Sequence, residues 1–170
     1  MKRVLFSGLA AVMFLVACDK EDNDNNEVNA TDETFMTQVN IGNRAEIGAG
    51  QLAATKGNHA MIKSYGQLMV QEHGLAQSEL VSIASSLGRN LPDTLDPEHQ
   101  ALMARLNSLT GYSFDTAYIN SQVKDHQKTL AIFQAEIANG RNTNLRDYAN
   151  RYVHHIQMHL QKADSIARNL

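Results

Sequence analysis

Residues 143–170, TNLRDYANRYVHHIQMHLQKADSIARNL, place Leu145, Ala149, Tyr152, Ile156, Ala163, Ile166 and Leu170 in alternating steps of four and three, with His159 in the one remaining slot. That spacing is the inward seam of a bundled helix, and it predicts a helix over 144–169. The same rule finds three more seams upstream. Residues 114–139 give Ile119, Val123, His126, Leu130, Phe133 and Ile137, and residues 59–87 give Ile62, Gly66, Met69, His73, Ala76, Leu80, Ile83 and Leu87. Residues 34–56 give Phe35, Val39, Gly42, Glu46, Ala49 and Ala53. Gly57, Gly88 and Gly140 stand where helices stop, and Asn58, Asp96, Ser113 and Thr143 where they start.

Both prolines, Pro92 and Pro97, fall in the connection over 88–113. There Asp96-Pro97-Glu98 combines a capping side chain, a proline at the first helical position and an acid in the first turn, which starts a short helix at about 97–109. A connection of that length can return along the bundle, so the second and third long helices run parallel. The expected fold over 34–170 is all-α: a ferritin-like four-helix bundle with a long crossover between helices 2 and 3 that contains a short helix.

Each seam is apolar or small except at one position, and the exceptions are Glu46, His73, His126 and His159. His73 lies 15 residues past Asn58 and His126 13 past Ser113, a difference of about 3 Å in height at 1.5 Å per residue. His126 lies 14 before Gly140 and His159 16 after Thr143, while Glu46 lies 11 before Gly57 and is offset from His73 by about 6 Å. One carboxylate and three imidazoles at one level would cost several kcal/mol if left unpaired. A transition metal such as zinc, copper or iron compensates them directly, since imidazole nitrogen and carboxylate oxygen suit it and four donors can close a tetrahedral site. The competing reading is a polar layer with Glu46 accepting from the histidines around ordered water. Near these four, Glu72 and Asp125 precede His73 and His126 and face a helix flank, where each orients a neighbouring imidazole or meets solvent. Gln122 and His155 sit four residues before seam histidines, and Met69 sits four before His73, as core packing or as a soft donor for cuprous ion. His59, His99 and His154 are expected at the surface.

The chain starts with Lys2 and Arg3, an apolar run from Val4 to Ala17 and then Cys18, the only cysteine. That is a secretory signal too short to span a bilayer permanently. Leu15-Val16-Ala17-Cys18 resembles the bacterial lipobox, so residues 1–17 are expected to be removed and Cys18 acylated, with the lipid bilayer as partner. Residues 18–33 are expected to be a disordered acidic tether, with Val28 its only sizeable apolar side chain. Lys20-Glu21-Asp22 resembles a signal that sends lipoproteins to the outer membrane, or is a solvated spacer. A sole cysteine spent on lipid leaves no disulfide, and the net charge of −3 with no basic stripe argues against nucleic acid.

Gly42-Asn43 with Glu46-Ile47, Gly50-Gln51-Leu52-Ala53, Met69-Val70 with Glu72-His73, Leu91-Pro92, Leu95-Asp96, Phe114-Asp115 with Tyr118, Asp125-His126 and His159-Leu160 resemble the exported ferritin-like proteins catalogued as domain of unknown function 4142. The resemblance covers the chain from about residue 34. It implies a ferritin-like bundle in the bacterial envelope, often described as an outer membrane protein, and brings no established activity. The di-iron pattern of ferritins wants Glu-x-x-His on two helices, but Val70 and Ile156 stand three before His73 and His159. A mononuclear, histidine-rich site fits better. Three functions follow as expectations: an envelope lipoprotein that binds a metal, a metal-dependent oxidase or ferroxidase, or a metal-free interaction protein of the cell surface. No nucleophile triad, phosphate loop or cysteine-based zinc motif is present to favour another enzyme.

Overall fold

The computed structural model describes residues 27–170. The signal segment, Cys18 and the expected tether up to Asn26 lie outside the described residues. Five helices follow in order: α1 (Ala30–Lys56), α2 (Ala60–Ser86), α3 (Pro97–Ser108), α4 (Gly111–Asn139) and α5 (Thr143–Asn169). No helix among the described residues is long and apolar enough to cross a membrane.

The helix bodies lie where the seams put them, and the ends differ for local reasons. Helix α1 starts four residues ahead of the expected position, because Asn29 and Asp32 form a reciprocal cap: the Asn29 side chain accepts from Asp32 N at 2.9 Å, and Asp32 accepts from Asn29 N at 2.6 Å. Residues 30–33, assigned by composition to the tether, are therefore its first turn. His59 caps α2 in place of Asn58, Thr110 precedes α4 in place of Ser113, and Asn142 caps α5 in place of Thr143. Helix α2 ends as expected at Gly88, with φ 67°, whose N–H reaches Ser85 O at 3.0 Å while Arg89 N–H reaches Ala84 O at 2.9 Å.

Two apolar clusters fill the bundle. One gathers Phe35, Met36 and Val39 from the start of α1, Ala76, Leu80 and Ala84 from the end of α2, Phe133 from late α4, and Leu145 and Tyr148 from the start of α5. The other gathers Ala49 and Ala53 late in α1, Ile62, Tyr65 and Met69 early in α2, Phe114, Tyr118 and Ile119 early in α4, and Ala163 and Ile166 late in α5. The early parts of α2 and α4 thus share one end, so these helices run parallel, joined by the crossover that carries α3. Leu106 of α3 is buried in the second cluster, and Lys56 Nζ donates to Leu106 O and Asn107 O at 3.0 and 2.8 Å.

The two hairpins, α1–α2 and α4–α5, hold each other's turns. Asp32, in the first turn of α1, accepts from the backbone N–H groups of Arg141 and Asn142 at 3.1 Å. Asp115, just past the first turn of α4, accepts from those of Asn58 and His59 at 2.8 and 2.7 Å. Both carboxylates are buried, and each satisfies donors that a turn would otherwise leave unpaired.

Candidate metal centre

Between the two apolar clusters lies a polar layer. Asn43 and Glu46 on α1, His73 on α2, Gln122 and His126 on α4 and His159 on α5 are all buried, the three imidazoles exposed by only 1–4%. His73, His126 and His159 each offer a nitrogen within 4.8 Å of the others, and their rings stand 5.3–5.6 Å apart between centroids. The heptad count brings them to one height, and each helix contributes the slot at which its seam is broken.

One nitrogen of each imidazole is tied to an acceptor. His73 Nδ1 donates to Asn43 Oδ1 at 2.8 Å, His126 Nδ1 to the Gln122 carbonyl at 2.9 Å, and His159 Nε2 to Glu72 Oε2 at 2.9 Å. An amide oxygen, a carbonyl and a carboxylate can only accept, so each contact fixes the neutral tautomer and leaves a lone pair on the other nitrogen. Those three nitrogens, His73 Nε2, His126 Nε2 and His159 Nδ1, are buried and have no hydrogen-bond partner. Further unpartnered atoms belong to the same region: Glu46 Oε2, Gln122 Oε1 and the Tyr118 hydroxyl.

Burial keeps the imidazoles uncharged. It pushes His73 well below its ordinary value, helped by His126 and His159, and pushes His126 down to about 3, with His159 adding to the effect. His159 is lowered by burial as well, against the pull of Glu72. Burial raises Glu46 to about 8, opposed by a hydrogen bond from Gln122 and assisted by Asp125. The layer is thus a set of neutral nitrogen donors beside one carboxyl that holds its proton near neutrality.

Glu46 stands a little apart from the trio. Its Oε1 is 3.7 Å from His126 Nδ1, on the ring edge already bonded to the Gln122 carbonyl. Glu72 orients the His159 imidazole, as its flank position allows, and also accepts from His155 Nδ1 at 3.0 Å. His155 is half-exposed and reaches the layer only through Glu72. Asp125 faces a cleft outside the bundle interior, with Glu46 in the same wall. Met69 belongs to the second apolar cluster. His59 and His154 are exposed as expected, but His99 is half-buried, with Nδ1 2.8 Å from Asp96 Oδ1. Gly42 is not a seam residue: α1 turns Asn43 inward, three positions before Glu46 on the same face. Asn43 was discernible in that spacing, yet an apolar-seam rule passes over an amide.

Comparison with known proteins agrees with this architecture. A solved structure titled "Crystal structure of DUF305 fragment from Deinococcus radiodurans" is similar to the chain with a TM-score of 0.75 and 10% sequence identity, over 84% of this chain and 99% of that one. At that identity the likeness is one of fold. No curated protein matches. Residues 18–166 match the family described as "Domain of unknown function (DUF4142)", and the chain belongs to that family.

Proposed function

We propose that the bundle is a binding module for one transition-metal ion, held by His73, His126 and His159 with Glu46 as the adjacent carboxylate, and that Cys18 tethers it to a membrane of the bacterial envelope. The observation that supports the metal reading is the trio of unpartnered lone pairs inside a neutral, acceptor-oriented histidine cluster. A buried polar group without a partner costs about 1–3 kcal/mol, so three together favour an occupant that satisfies all three. Donors around a tetrahedral ion at 2.0–2.1 Å lie about 3.4 Å apart, so a spread of 4.8 Å needs only an inward shift of about 1 Å. Acceptors behind each imidazole are the usual support for metal-ligating histidines. The tether reading rests on the basic, apolar and Leu15-Val16-Ala17-Cys18 sequence alone.

Metal analysis of the chain purified without a histidine tag tests the first part. About one equivalent of zinc, copper, iron or nickel is expected, lost on substituting His73, His126 or His159 by alanine. Saturation at 100 times Kd adds about 2.7 kcal/mol, a rise in Tm on the order of 8 °C. Retention of none of the four metals, with no rise in Tm when they are added, refutes the reading and leaves a water-filled polar layer. Labelling with radioactive palmitate tests the second part: incorporation is expected in the natural chain and absent after Cys18→Ala.

A further inference from the structure

We propose that the cleft between α1, the start of α3 and α4 is the route by which a divalent cation reaches the three imidazoles, with Asp125 as the outer and Glu46 as the inner carboxylate. The inference rests on the metal-binding reading above. A site exposed by a few per cent between two close-packed clusters needs a way in, and the surface offers few.

The cleft encloses about 450 Å³, and Glu46 forms part of its wall. Asp96, Glu98, His99, Asp125 and Lys128 share it. Most of these charges are already committed. Glu98 is held by Lys124 at 2.6 Å and Lys128 at 2.8 Å, and Asp96 accepts from the His99 backbone and ring at 2.8 Å. Two carboxylates keep oxygen free. Asp125 makes no ion pair among the described residues, and Glu46, with a side chain only 9% exposed, has Oε2 unpartnered. A hydrated cation drawn by Asp125 meets next the unpartnered Glu46 Oε2, whose partner oxygen is 3.7 Å from a ring nitrogen of His126.

Other openings are unsuited. On the α2–α5 side a groove of about 260 Å³ leads to Glu72, but Glu72 Oε2 already accepts from two imidazoles, and Arg151 stands in that groove. The groove of about 560 Å³ between α3 and α4 is lined by Arg105 and Lys124 and touches none of the layer residues.

Gly42 supplies the test, because it lines the cleft and a Cβ there would meet nothing within 4 Å. Gly42→Phe should plug the opening without replacing a ligand. Gly74, where a Cβ also meets nothing within 4 Å and which lies outside the cleft, is the matched control. Cobalt(II) uptake is followed by its visible absorption in stopped flow. Relative to the natural chain and to Gly74→Phe, Gly42→Phe should slow association by roughly tenfold or more and leave Kd within about twofold. Asp125→Asn should slow association several-fold at low ionic strength and flatten its salt dependence. Uptake by Gly42→Phe at the rate of Gly74→Phe, or a change in Kd without a change in rate, overturns the route while the metal reading stands. If Gly42→Phe loses its helical circular dichroism, Asp125→Asn decides, and an unaltered rate at low salt overturns the route. A natural chain that binds no cobalt(II) defeats the metal reading itself.

Discussion

His126 carries two opposed demands. Its Nδ1 is satisfied by the Gln122 carbonyl, while its Nε2 is buried with no partner. In the ion-free protein the second condition is a cost, so an apolar side chain of similar volume should be tolerated well. His126→Leu is expected to raise the stability of the metal-free protein by about 1–2 kcal/mol and to abolish the metal-induced rise in Tm. Thermal melts with and without chelator check both halves, and a less stable metal-free variant would mean that the lone pair is already satisfied. At this scale the sequence was partly legible. Glu46, His73, His126 and His159 stood out because a polar residue interrupts an apolar period. Asn43, Asp32 and Asp115 did not, because an amide or an acid near a helix start is ordinary in sequence, and its worth here comes from a distant backbone or imidazole that local pattern cannot name.

Helices α1 and α2 meet at a pair of glycines. A Cβ on Gly66 would lie 2.6 Å from Gly50 O, and one on Gly50 would lie 2.8 Å from Gly66 O, so each backbone sits against the other where no methyl group fits. That close crossing holds Asn43 against His73. Gly66→Ala is expected to destabilise by about 1–3 kcal/mol, since the clash is with backbone. Gly42→Ala, in open space on the same pair of helices, should stabilise by about 0.5–1 kcal/mol through helix propensity alone. Urea unfolding of the two variants reads the contrast, and equal effects would remove the argument for a close crossing. Element bodies were legible because an inward seam position recurs six to eight times per helix. Their ends were less so. The first turn of α1 owes its order to the Asn29–Asp32 cap and to donors from the α4–α5 turn, and such reinforcement outweighs a composition that reads as spacer.

Across the whole bundle, buried titratable groups set opposing slopes of stability with pH. The three imidazoles refuse protons in the fold, with His126 at about 3 against an ordinary 6.5, so stability of the ion-free protein falls as pH drops through that window. Glu46 and Glu136 behave in the other sense. Burial lifts both from 4.5 to about 8, Glu136 with help from neighbouring Asp32, so the fold binds protons that the unfolded chain releases, and stability falls as pH rises from 4.5 through 8. The two slopes cancel at roughly pH 6, where the midpoint of urea unfolding in chelator should peak. A midpoint that climbs steadily to pH 8 would contradict this.

The parallel course of α2 and α4 followed from the length of the crossover, but the exchange of aspartates between the hairpins had no counterpart in any periodicity. That exchange governs how the molecule comes apart. Because Asp32 closes the α4–α5 turn and Asp115 the α1–α2 turn, a hairpin that swings away opens its own bend along with its neighbour's. Neither half persists as an island while the other melts, and the domain comes apart in one concerted step.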